Sequence, residues 1–116
     1  GGGGGAAMIR AEWMRGAGSR ILHIEGHAGS AEYGHDLICA AVSVLAQGLW
    51  ENMQAEAALG NCRLLPGRME PGDARIAAER CNEKAEWIFD AFCRALAGLA
   101  RGYSDFLLVG EKKKQD

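Results

Sequence analysis

The stretch Ile21-Leu22-His23-Ile24-Glu25-Gly26-His27-Ala28-Gly29-Ser30-Ala31-Glu32-Tyr33-Gly34-His35-Asp36-Leu37-Ile38-Cys39-Ala40-Ala41-Val42-Ser43-Val44-Leu45 changes character twice, and those changes set the fold class. Ile21–Glu25 is short, aliphatic and bounded by glycine, the mark of a strand. Gly26–Gly34 is a loop of small residues broken by His27, Glu32 and Tyr33. From there Leu37, Ile38, Ala41, Val42, Leu45, Leu49 and Met53 recur at three- and four-residue steps, the period of a helix with one apolar face. Asp36, just ahead of this run, is expected to be its N-cap, worth about 0.5–2 kcal/mol. The helix is expected to decay near Gly60.

Upstream, Met8–Met14 reads as a strand, and the turn Arg15-Gly16-Ala17-Gly18-Ser19 joins it to Ile21–Glu25 as a hairpin. Residues 1–7 (five glycines and two alanines) have no side chains to bury and read as an added linker or leader. Downstream, Asn61–Leu65 and Asp73–Ala78 are expected as two short strands flanking the turn Pro66–Gly72. A second helix over Cys81–Arg101 has the apolar face Ala85, Ile88, Phe89, Phe92, Leu96 and Leu99, with Gly102 placed to end it. Phe106–Val109 closes the domain, taken as residues 8–110, and residues 111–116 read as a charged tail. The order β-β-α-β-β-α-β predicts a two-layer α+β domain, with a small, mostly antiparallel sheet packed against two helices. A core this thin leaves room for a homodimer without demanding one.

The 116 residues are 48% hydrophobic and 24% charged, with net charge −2, the balance of an ordinary globular domain. That charge gives no general pull toward nucleic acid or an anionic membrane. Lys112-Lys113-Lys114, between Glu111 and Asp116, reads as solvated. No apolar run approaches the ~18–20 residues that span a bilayer, and nothing near Met8 resembles a signal peptide. A cytoplasmic protein is expected. Its four cysteines, Cys39, Cys62, Cys81 and Cys93, form no CxxC pair and are expected to be free thiols.

One pair of residues carries possible chemistry. His27 follows a strand, and Cys39 falls in the first turn of a helix, its third residue if Asp36 is the cap. Unpaired N–H groups and the positive end of the helix dipole meet there. That setting favours thiolate and offers oxyanion donors, while a small-residue loop can fold His27 back as base and acid. On the residues alone, a cysteine beside Ile38, Ala40 and Ala41 reads first as a small buried side chain. A histidine after a strand likewise reads first as a loop hydrogen-bonder.

The run Gly26-His27-Ala28, then Gly34, Asp36, Cys39-Ala40-Ala41 and Ser43, resembles the signature of the Prp family of ribosomal-processing cysteine proteases. The family pairs a GHA histidine with a cysteine in a D-[IL]-[VI]-C-A-[AG]-x-S segment, and the twelve-residue separation of His27 and Cys39 matches. The order of elements extends the resemblance over Met8 to about Val109. It implies a homodimeric cysteine endopeptidase, with no cofactor, that removes the N-terminal extension of large-subunit ribosomal protein twenty-seven after an apolar, aromatic-ending sequence. By position, Cys39 would be the nucleophile and His27 the general base. Gly26, Ala28, Gly29, Tyr33 and Gly34 would belong to a mobile substrate loop. Asp36 would either orient His27 or cap the helix, and Ser43, one turn beyond Cys39, would hydrogen-bond near the site or pack. His35 competes with His27 as the base.

Two rivals remain. His23, His27, His35 and Cys39 are four potential metal ligands within 17 residues, although thiolate chemistry needs no metal. A non-catalytic module binding a ribosomal protein is the other. Cys93 reads as packing, Cys81 as a mildly activated helix-start thiol and Cys62 as a strand residue. Trp13, Trp50 and Trp87 are expected in the core or a dimer interface.

Overall fold

The structure is a computed structural model that describes residues 8–26 and 35–113, with the side chains of residues 35 and 36 outside the description. Its elements are β1 (Ile9–Gly16), β2 (Ser19–Glu25), α1 (His35–Ala58), β3 (Arg63–Leu64), β4 (Arg68–Glu70), β5 (Asp73–Glu79), α2 (Glu83–Gly102) and β6 (Leu107–Lys113). The sheet order is β3-β5-β2-β1-β6, with β4 also on β5. All pairings are antiparallel except β1 with β6. The architecture is thus the two-layer α+β arrangement that the sequence predicts.

Period-two alternation sorts the sheet into two faces. Ile9, Ala11 and Trp13 of β1, Leu22 and Ile24 of β2, Ile76 and Ala78 of β5, and Leu107 of β6 are buried toward the helices. The registers align them in rows such as Trp13–Leu22–Ile76 and Ala11–Ile24–Ala74. The other face carries Arg10 opposite Glu25, where unlike charges meet across the strands, and Glu12 opposite His23. From the helices come Ile38, Leu49 and Met53 of α1 and Phe89, Cys93 and Leu96 of α2, each at most 1% exposed. Burying a side chain of this size contributes about 1.5–3 kcal/mol. The helices approach closely where Gly48 meets Phe92: a Cβ at Gly48 would lie 2.8 Å from the ring.

At one end of the sheet Arg20, 6% exposed, donates to both carboxylate oxygens of Asp90 (2.8 and 3.2 Å) and to the carbonyls of Gly16 and Ser19. Asn82 caps α2 by accepting the Ala85 N–H at 3.0 Å. These contacts pin the β1–β2 hairpin to α2.

Several boundaries differ from the sequence reading. α1 begins at His35, so Asp36 lies inside its first turn and Cys39 is the fifth helical residue. Acidic residues suit the first turn as well as the cap, so the residue type does not fix the boundary. α2 ends with Tyr103 as its C-cap, whose N–H bonds back to Leu99 and Ala100, rather than by a left-handed Gly102. β4 was not expected: Glu70-Pro71-Gly72-Asp73 closes a hairpin with Gly72 at φ +77°, the value that position takes in a type II turn. β6 continues through Lys113, so residues 111–113 are strand rather than tail, and Lys112 pairs with Glu12 at 3.3 Å. Trp13 is core and Trp50 packs partly against it, whereas Trp87 is 69% exposed.

Candidate active site

Cys39 is half-buried on α1 and lines a groove of about 380 Å³. The helical wall is Cys39, Val42, Ser43, Ala46 and Gln47, residues at three- and four-step spacing that share one face. The opposite wall is the β4–β5 hairpin tip, Met69 through Ala74, and Ile9 and Ile24 at the sheet's end complete the lining. Helical Cα–Cβ bonds tilt toward the N-terminus, which carries the Cys39 side chain back toward the first turn, where helix N–H groups have no intrahelical acceptor.

Gly26, the residue that follows β2, also lines this groove. Its φ of +98° is in the region that favours glycine, and a Cβ there would lie 2.3 Å from the Met8 carbonyl oxygen. Its N–H donates to the Gly72 carbonyl at 3.0 Å. Residue 26 is therefore clamped between the residue ahead of β1 and the hairpin tip that walls the groove.

The sequence candidates divide as follows. Cys39, Ser43 and Gly26 line the same groove. His27, Ala28, Gly29, Tyr33 and Gly34 lie outside the described residues, as do the side chains of His35 and Asp36. His23 is separated from Cys39 by strand parity: Leu22 and Ile24 face the helices, so His23 points to the other face, where its Nε2 lies 3.3 Å from Asp73. That removes His23 from the four-ligand metal reading. Among the described residues no three His, Cys, Asp or Glu side chains converge as a metal site. The guanidinium of Arg68, and then His23, hold the Asp73 carboxyl below its ordinary range.

The other thiols are held protonated. Burial pushes the Cys93 thiol up, with Asp90 adding to it. Burial pushes Cys81 up to about 12, against the mild activation expected at a helix start; it precedes the cap Asn82 and interacts with Cys62. Cys62 is raised by burial and by Glu56, and it lies just before β3 rather than within a strand. Protonated buried thiols are poor nucleophiles.

The sequence reading missed the groove wall: Met69, Pro71 and Gly72, and Ala46 and Gln47 across from them. The Pro-Gly pair signalled a turn, but which helix the hairpin tip would face depends on the sheet order. A thiol lining a groove beside a helix start can attack a carbonyl held in that groove.

Comparison with known proteins gives a consistent result. The family model for the cysteine protease Prp matches residues 8–107. The crystal structure of SMU.848 from Streptococcus mutans is similar at a TM-score of 0.69 and 28% identity, covering 93% of this chain and 97% of that one. Two structures of an essential ribosomal processing protease Prp from S. aureus share the fold. The complex with a covalently linked product peptide has a TM-score of 0.71 at 24% identity, and that with a substrate peptide 0.73 at 23%. Each covers 90% of this chain and 100% of its own. No curated protein sequence matches the chain.

Proposed function

The chain belongs to the Prp family of cysteine proteases, and on that premise we propose that it removes the N-terminal extension of large-subunit ribosomal protein twenty-seven, with Cys39 as nucleophile and His27 as general base. The observation that carries this reading is the position of Cys39, near the start of α1 and opening on a groove, while burial holds the other three thiols protonated. The S. aureus relative, solved with substrate and product peptides, supports a peptide occupant.

His27 takes the Cys39 proton, and the thiolate sulfur bonds to the scissile carbonyl carbon. First-turn N–H groups of α1 stabilise the oxyanion. As the C–N bond breaks, His27 returns its proton to the leaving amine, which leaves a thioester. His27 then takes a proton from water, the hydroxide attacks the thioester carbonyl, and the C–S bond breaks with the proton returned to sulfur. No metal or cofactor enters these steps.

We also propose a cytoplasmic homodimer. No helix among the described residues is long and apolar enough to cross a membrane. α1 carries apolar residues on a second stripe, with Leu37 at 61% and Val44 at 69% exposure, and these meet Leu99 of α2 in a shallow apolar depression. A helix apolar beyond its core face calls for a further partner, and a second copy of this chain supplies one.

The test is a peptide spanning the extended N-terminus of that ribosomal protein, incubated with wild type and with Cys39→Ala, with fragment masses read directly. One cut with wild type and none with the variant is the expected result. Undiminished cutting by Cys39→Ala would remove Cys39 from the mechanism.

A further inference from the structure

We infer that Cys62 and Cys81 are a dithiol pair that closes to a disulfide under sustained oxidation and staples the base of the hairpin that walls the groove. The backbone brings the pair together. In the β3–β5 ladder Arg63 aligns with Glu79, and Leu64 with Ala78. Ala78 is buried toward the helices, whereas Arg63 and Glu79 form an ion pair at 3.3 Å on the other face. By strand alternation the next inward position is Cys62, 9% exposed, and its regular partner would be Arg80. Arg80 instead takes φ +53° and is exposed. That left-handed conformation, uncommon outside glycine, gives the inward place to Cys81, which packs against the same core as Cys62.

The Cys81 thiol donates a hydrogen bond to the Cys62 sulfur, and the Cys62 thiol donates to the Met53 carbonyl at 3.9 Å. The flanking backbone is fixed as well. The Asn82 N–H bonds to the Asn61 carbonyl, and the Asn82 side chain to the Asn61 side chain, both at 2.8 Å. The Cys81 N–H donates to the Gly18 carbonyl at 2.8 Å. A disulfide requires side chains already directed at each other, and this corner supplies that. The oxidant is a small-molecule disulfide. Cys81, the more exposed thiol, loses its proton and attacks one sulfur, expelling the first reagent thiolate. The Cys62 thiolate then attacks the Cys81 Sγ and expels the second. One Sγ–Sγ bond forms, and the two electrons and two protons leave with the reagent as two thiols. Both cysteines are held protonated, so closure takes hours rather than seconds. The bond closes a loop of about 20 residues that contains β3, β4 and β5, with Met69 through Ala74 of the groove wall inside it.

The experiment holds folded wild type, Cys39→Ala and Cys81→Ser with oxidised glutathione for about a day, the scale of uncatalysed disulfide chemistry. Remaining free thiols are then blocked, and the proteins are digested with trypsin without reduction. In Cys39→Ala, Cys62 is the one cysteine of its tryptic peptide, residues 21–63, so its cross-link to the Cys81 peptide is read directly by mass. That cross-link is the expected product. The thermal midpoint should rise by about 5 °C or more, fall back with dithiothreitol, and stay unmoved in Cys81→Ser. If Cys81→Ser fails to fold, the cross-link map in Cys39→Ala and its reversal by dithiothreitol decide the matter. Cys62 and Cys81 both recovered as free thiols, a mixed disulfide with glutathione that persists on Cys81, or a cross-link that lowers the midpoint would each overturn the inference.

Discussion

Replacing Gly26 by alanine tests whether the close packing where β2 ends supports the groove beside Cys39. The new Cβ would stand 2.3 Å from the Met8 carbonyl oxygen, and the two must separate by about 0.7 Å to reach even 3.0 Å. The oxygen belongs to Met8, next to Ile9, whose N–H is bonded to Phe106, so the displacement falls largely on residue 26 and on its bond to Gly72 beside the groove. A misplacement near 1 Å in a catalytic group costs about 100-fold in rate, equivalent to about 2.7 kcal/mol of transition-state stabilisation. Gly26→Ala is therefore expected to lose about 100-fold in kcat with a smaller change in KM, since the groove walls remain. Gly60→Ala is the control. Gly60 also has positive φ, at +81°, but a Cβ there meets nothing within 4 Å. It pays the left-handed backbone penalty of about 1–2 kcal/mol in stability and keeps its kcat. Both variants are measured by peptide cleavage and thermal unfolding. A Gly26→Ala enzyme within threefold of wild-type kcat would refute the idea that the close packing at Gly26 matters to catalysis.

Three further expectations follow from the same structure. At about pH 7.5, the thiolate fraction of Cys81 is about 1,000-fold below that of an unperturbed thiol near 9.0, because burial pushes it up to about 12. Brief alkylation with mass mapping should label Cys39 well ahead of Cys62, Cys81 and Cys93; equal labelling in folded protein would contradict the burial argument. Asp90→Ala removes the two-bond carboxylate partner of the buried Arg20 guanidinium and leaves it only the Glu86 carboxylate at 3.3 Å, so it should cost up to about 3 kcal/mol in urea unfolding, whereas Arg20→Met with Asp90→Leu should recover much of that loss. A double variant as unstable as the single one would show that the pair contributes more than mutual compensation. Sedimentation should find a dimer for wild type and a monomer for Val44→Glu; a wild-type monomer at tens of micromolar would remove the helix-face interface.

Both helices and the first hairpin were legible because their apolar periods are local. Leu37 through Met53 and Ala85 through Leu99 repeat with the helix, and Gly18 marks the turn between β1 and β2. The failures have physical causes. β4 is three residues long, with polar Arg68 and Glu70 around Met69, and such a strand exists because β5 is there to pair with it. β6 carries Glu111, Lys112 and Lys113 in an exposed edge strand, where charge is compatible with pairing on one side only. From sequence, these residues look like a tail. The parallel β1–β6 pairing joins residues about a hundred positions apart, and no local pattern announces it. The cysteine and its helix start were legible as a candidate site, but not the opposite wall, since Met69 and Gly72 reach α1 only through the sheet order. His23 was drawn into a ligand set by sequence proximity, and the face it occupies depends on a register that β1 and β5 impose.

That β1–β6 pairing also bears on the order in which the molecule is built. Ile9 aligns with Leu107, and the Ile9 N–H bonds to the Phe106 carbonyl at 3.0 Å. The first strand therefore keeps one edge unpaired until nearly the whole chain has been synthesised. Closing so long a loop carries an entropic cost that grows with the logarithm of its length, and contacts of this range slow folding. Because Ile9 both joins the core and lines the groove beside Cys39, a nascent chain that stops short of β6 has Cys39 but an incompletely supported cleft. Completion of the sheet by its last strand is thus also the step that finishes the enzyme.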